Sequence, residues 1–162
     1  MTPRLAIFLL LTLLCSCHFF GPRDLDRIKN ISDKNQLDNL PGLWKAKQST
    51  YKMLKAKKYQ IDSIQLTLKS DSTFLALNLP DCINKPSGDT RTRLLLNASG
   101  HWTIYKFGDT WKMQMTFDKN KMLDKNAYLD FDILFLDKKL MLSHFIGDPD
   151  QADLLEFERW QN

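Results

Sequence analysis

Residues 40–162 predict an all-β fold, an antiparallel up-and-down barrel of eight to nine strands, and three observations carry that expectation. Apolar and polar residues alternate with a period of two along most of this stretch, the spacing of a strand with one buried face. The alternating runs are joined mostly by short turns. No long helical pattern separates them. An antiparallel meander of that length has to curl up or split into two packed sheets, and closure also removes its unpaired edges. A two-sheet sandwich is the competing arrangement.

Taken in order, Pro41-Gly42-Leu43-Trp44 marks the entrance to the barrel. Gly42 lets the chain bend after Pro41, and Trp44 turns inward to plug one end. A first strand covers 43–49. Ile64, Leu66 and Leu68 alternate with polar neighbours, Ser70-Asp71-Ser72 turns the chain, and 73–79 returns as the partner strand. A polar stretch over 80–89 precedes a strand beginning at 90–96, and Asn97-Ala98-Ser99-Gly100 reads as the next break. Trp102 and Ile104 then lead to a Gly108-Asp109 turn, and Trp111, Met113, Met115 and Phe117 alternate on the way back, giving the clearest hairpin in the chain. Leu129, Phe131, Ile133 and Phe135 form the next strand, Asp137-Lys138 the turn, and Leu140, Leu142, His144 and Ile146 the return. Leu155 and Phe157 close the chain near Trp160.

The segment ahead of this domain reads as delivery and tether. Residues 1–16 hold a single charge, Arg4, and an apolar run from Leu5 to Leu14 that is too short to span a bilayer permanently, the pattern of a secretory signal. Leu14-Cys15-Ser16-Cys17 resembles the bacterial lipoprotein signal box, with Leu three places and a small residue one place before the acylated cysteine. That makes Cys17 the first mature residue and the lipid attachment site. Cys15 fits less well, because Leu14 stands where a small side chain is required. An ordinary exported protein is the alternative. Several acyl chains on one cysteine, each CH₂ contributing ~0.8 kcal/mol, hold a protein on the bilayer essentially permanently. Residues 17–39 then form a polar tether containing one short helix over 33–40, capped by Ser32, with Leu37 and Leu40 on one side.

Gly42-Leu43-Trp44, Gly100-His101-Trp102, the Asp-Ser-Thr-Phe turn at 71–74, and Gly147-Asp148-Pro149-Asp150 ahead of Leu155-Glu156-Phe157 occur in an order that resembles the small lipocalin-like lipoproteins of Gram-negative bacteria. The resemblance covers about residues 40 to 160. It implies an eight-stranded up-and-down barrel, a lipid-anchored place in the cell envelope, the outer membrane above all, facing the periplasm or the surface, and binding of small apolar molecules. The chain lacks the Thr-Asp-Tyr motif of the larger lipocalin family.

The chemistry-bearing residues point to binding, not to catalysis. His18, His101 and His144 have no zinc spacing, and neither a phosphate-cradling glycine loop nor a nucleophile elbow occurs, so no metal, cofactor or enzymatic reaction is expected. Asp130 and Asp132 read as outward residues of an alternating strand, and Asp148, Asp150 and Asp153 as a turn held by side-chain hydrogen bonds. The whole-chain net charge of +4 is too small for a nucleic-acid binder. Cys82 reads as a small buried hydrophobe. A basic run, Lys45, Lys47, Lys52, Lys55, Lys57 and Lys58, reads either as a headgroup contact beside the anchor or as a lysine-guarded strand edge. Two functions remain. Trp44, Trp102, Ile104, Met113, Met115, Phe131 and Ile133 line a pocket for a small apolar ligand, or they fill a solid core and the barrel binds another envelope protein through its loops. An interior void of ~300 Å³ or more separates the first from the second.

Overall fold

A computed structural model of the chain describes residues 28–31, 34–84, 93–119, 127–137, 139–147 and 153–160. Among these residues the strands are β1 (Ile28–Asn30), β2 (Gly42–Ala46), β3 (Gln65–Leu68), β4 (Thr73–Pro80), β5 (Leu95–Phe107), β6 (Thr110–Phe117), β7 (Tyr128–Leu136), β8 (Lys139–Phe145) and β9 (Leu154–Arg159). From β2 onward each strand pairs antiparallel with the next. β9 comes back to β2, setting Trp44 opposite Arg159 and Ala46 opposite Phe157, so eight strands close into an up-and-down barrel. β1 stands outside this cycle. It adds to the end of β7 beyond the reach of β6, with Ile28 opposite Leu136 and Asn30 opposite Leu134. The ladder therefore begins upstream of Leu40.

The period of two becomes inside and outside. On β6 and β7, Met113, Met115, Phe117, Leu129, Phe131 and Ile133 are buried, while Lys112, Gln114, Asp130 and Asp132 stand on the outer wall. Burying each such side chain stabilises the fold by roughly 1.5–3 kcal/mol. The outer residues pair with one another: Lys112 Nζ lies 2.8 Å from Asp132, and Gln114 Nε2 donates to Asp130 at 3.1 Å. The Asp132 bond raises the pKa of Lys112.

The structure departs from the sequence expectation at two places. Asn97-Ala98-Ser99-Gly100 is no turn but the interior of β5, a strand of 13 residues, which is why the barrel has eight strands and not nine. Its turn-forming residues have other tasks. Asn97 Oδ1 accepts the Asn78 N–H at 3.0 Å where β4 bulges, and Ser99 donates to Asp118 at 2.7 Å. A Cβ at Gly100 would overlap the Thr116 carbonyl and meet Phe74 at 2.9 Å. The missing side chain lets Phe74 and Phe117 meet across Gly100, edge to face at 5.4 Å.

The second departure is a helix, α1 (Gln48–Ala56), where the first strand was expected to run on to residue 49. The lysines beyond Lys47 thus start on a helix, and the strand-edge reading of that run fails. α1 carries only one fully buried apolar side chain, Leu54, so its helical period is nearly invisible in the sequence. Its end is built by hydrogen bonds. Tyr59 N–H reaches Leu54 O and Lys58 N–H reaches Lys55 O, with Lys58 at φ +67°, a Schellman closure that brings Tyr59 down beside Leu54. The expected N-terminal helix is a 3-10 turn, Lys34–Asn39, with Leu37 and Leu40 buried as the pattern required. Its proposed cap, Ser32, lies outside the described residues.

Candidate functional site

The interior is full. A cavity that holds a ligand leaves its lining side chains open to a water-sized sphere, yet Trp44, Met113 and Phe131 expose 0 % of their surface, and Met115 and Ile133 1 %. Of the seven residues expected around a pocket, these five are core, Trp102 is buried, and Ile104 is partly buried against the same cluster. Both buried indoles have their N–H satisfied. Trp44 donates to Leu40 O at 2.9 Å, and Trp102 lies 3.1 Å from Thr73 O and 3.2 Å from Lys69 O. Phe131 also packs against Phe157, with ring centroids 5.9 Å apart.

An imidazole also faces this interior. His144 sits 5.5 Å from Phe131, and its Nδ1 lies 2.8 Å from the Asp130 carbonyl. A carbonyl only accepts, so Nδ1 carries the proton. Burial holds the His144 pKa below the ordinary imidazole value.

The two mouths of the barrel are closed differently. At one, α1 lies across the end. Thr50 accepts the Glu156 N–H at 2.9 Å and lies 3.2 Å from Leu154 O, serving the β9 backbone where β2 no longer reaches. Tyr59 donates to the buried carboxylate of Asp81 at 2.6 Å, and burial followed by this bond pushes the phenol far above its ordinary pKa. Cys82 is a buried free thiol beside this pair, and burial raises its pKa.

At the opposite mouth the 3-10 turn and Leu40 enter, and Arg159 ties them down by donating to Pro41 O at 2.9 Å. This explains Gly42. Its φ is +147°, and a Cβ there would lie 3.2 Å from the Arg159 guanidinium. The closure leaves a cleft of about 590 Å³. Gln36 and Asn39 of the 3-10 turn form one wall, Phe135, Lys139 and Leu140 of the β7–β8 corner another, and Glu158, Arg159 and Trp160 the third. Lys45 places its ammonium 3.4 Å from the Trp160 ring centre. A smaller cleft of about 210 Å³ adjoins it, sharing Lys139, Leu140 and Glu158 and reaching Lys47 and Met141.

This cleft is the candidate site, and the sequence reading did not find it. Its walls come from three segments, 36–39, 135–140 and 158–160, that have no common motif. The one local signal is Trp160, an aromatic residue at the end of the last strand. Cys17 and residues 148–152 lie outside the described residues, while Asp153 pairs with Lys57 at 2.7 Å. Among the described residues no helix is long and apolar enough to cross a membrane. No family model, curated protein or solved structure matches this chain.

Proposed function

We propose that this protein is a lipid-anchored module of the cell envelope, held in the outer membrane through acylated Cys17, whose lipocalin-like barrel acts through its outer surface and its open mouth. The observation that carries the outward reading is the sealed interior: the side chains that an internal ligand would touch are already touching each other. A carrier of small apolar molecules needs that space, so the interaction module takes precedence over the carrier. The anchor rests on Leu14-Cys15-Ser16-Cys17 behind a short apolar run.

Two measurements test the two halves. Met113→Ala in a filled core leaves a cavity and is expected to cost ~2–5 kcal/mol in denaturant unfolding. A loss near zero in protein stripped of lipid would return Met113 to a ligand pocket. For the anchor, intact mass of the membrane-extracted protein is expected to show acyl groups on a chain starting at Cys17. Cys17→Ala should lose that mass, and a variant that keeps it places the anchor elsewhere.

A further inference from the structure

The open mouth is also where the tether enters the fold. β1 runs antiparallel to β7, so its first residue, Ile28, lies at the rim beside Leu136, and Lys29 pairs with Phe135, whose side chain lines the cleft. Ten residues, and so eleven chain steps, lie between Cys17 and Ile28. A chain of that length spans at most about 36–40 Å. Given the Cys17 anchor proposed above, on which this inference rests, the cleft stays within that distance of the lipid headgroups. The mouth sealed by α1 is the far end of the barrel.

The cleft walls are mixed in a particular way. Lys139 on the β7–β8 wall and Arg159 on the β9 wall are cations, and Arg159 uses one of the five N–H donors of its planar fork on Pro41 O. Gln36 and Asn39 add amide groups. Glu158 is an exposed carboxylate on the last strand, and Trp160 gives an aromatic wall. An anion alone would be repelled by Glu158, and an apolar chain alone would leave the polar groups dry. A ligand with a phosphate, an ammonium a few bonds away and an apolar root satisfies the two cations, the carboxylate and the indole.

We propose that the open-mouth cleft binds the headgroup of a zwitterionic phospholipid from the membrane that holds the anchor. The phosphate lies against Lys139 and Arg159, the ammonium against Glu158, and the glycerol end against Trp160. The barrel then stands mouth-down on the bilayer, with α1 and its lysines presented away from it.

The test uses the full acylated chain, extracted from membranes and held in an amphipathic polymer. Calorimetric titration with glycerophosphoethanolamine, glycerol 3-phosphate and inorganic phosphate separates the sources. The first should bind at least tenfold more tightly than the other two. Glu158→Gln should erase that preference, and Lys139→Ala should weaken both organic phosphates severalfold. Equal binding of inorganic phosphate, or a preference that survives Glu158→Gln, overturns the headgroup assignment. In vesicles, lipids brominated close to the headgroup should quench a component of the fluorescence that Trp160→Phe removes. Absence of that component overturns the mouth-down orientation. The intact mass of the same sample reports acylation separately. Acylated protein without the preference sinks the cleft alone, whereas unacylated protein with the preference sinks the anchor alone.

Discussion

The two ends of this barrel solve the same problem with different material. At the α1 end the seal is covalently inside the β2–β3 connection: Leu54 and Tyr59 drop into the core, and Thr50 satisfies β9 backbone groups that would otherwise be orphaned. At the open end the seal is brought from upstream of the barrel, as Leu37 on a 3-10 turn and Leu40 just after it, and it is fixed by two side-chain bonds to carbonyls, a local one from Trp44 to Leu40 O and a long-range one from Arg159 to Pro41 O. A plug that is part of a connection fits its mouth tightly. One laid on from outside leaves a margin, and here the margin is a cleft of about 590 Å³. The open space at this end thus lies beside the plug and not inside the barrel.

The sharpest way to break that comparison is at Trp44, which packs the open end and holds Leu40. Trp44→Ala is expected to cost ~3–5 kcal/mol in urea unfolding, and also to release the 3-10 turn, read as faster amide exchange at Leu40. If exchange at Leu40 is unchanged, the indole bond does not hold the plug. At the other end, Leu54→Ala should cost ~2–5 kcal/mol by the same assay. A loss below about 1 kcal/mol would mean that α1 lies over the mouth without sealing it.

A smaller effect comes from the buried hydrogen bond at the α1 end. Tyr59→Phe keeps the ring and removes the donor to Asp81, so about 1–2 kcal/mol is expected. Stability equal to wild type would show that the Asp81 carboxylate is satisfied without the phenol.

The smallest expected effect is a pH slope from His144. An imidazole in the unfolded chain titrates near 6.5, and burial lowers the folded value. Between the two values the unfolded chain binds a proton that the folded chain does not, so stability falls as pH drops below about 6.5 and is unaffected by this group above it. His144→Gln can still donate to the Asp130 carbonyl but does not titrate. It should remove the part of the slope that begins near pH 6.5, and an unchanged slope assigns the titration to other groups.

Much of the barrel was legible in the chain, because a strand with one wet face must alternate, and Met113-Gln114-Met115-Thr116-Phe117 or Leu129-Asp130-Phe131-Asp132-Ile133 satisfies no other regular structure as well. The hairpin turn at Gly108-Asp109 was equally local, since φ at Gly108 is +58°. Leu37 and Leu40 announced a buried side to the N-terminal turn. Those features depend on residues a few positions apart, and a sequence displays such neighbours directly.

What only tertiary structure decided depends on distant residues. Gly100 looks like a turn residue until Phe74 and the Thr116 backbone crowd against it from two other strands. α1 looks like a continuing strand because Thr50, the residue that ties it to β9, is polar and finds its partners more than a hundred positions away. The seven residues chosen as a pocket were correctly apolar and inward on their strands. Whether such a set lines a void or fills it is a matter of how far eight strands stand apart, and that distance is set by all their side chains at once. The cleft is the extreme case, since Gln36, Lys139 and Glu158 become neighbours only after the last strand has returned to the first.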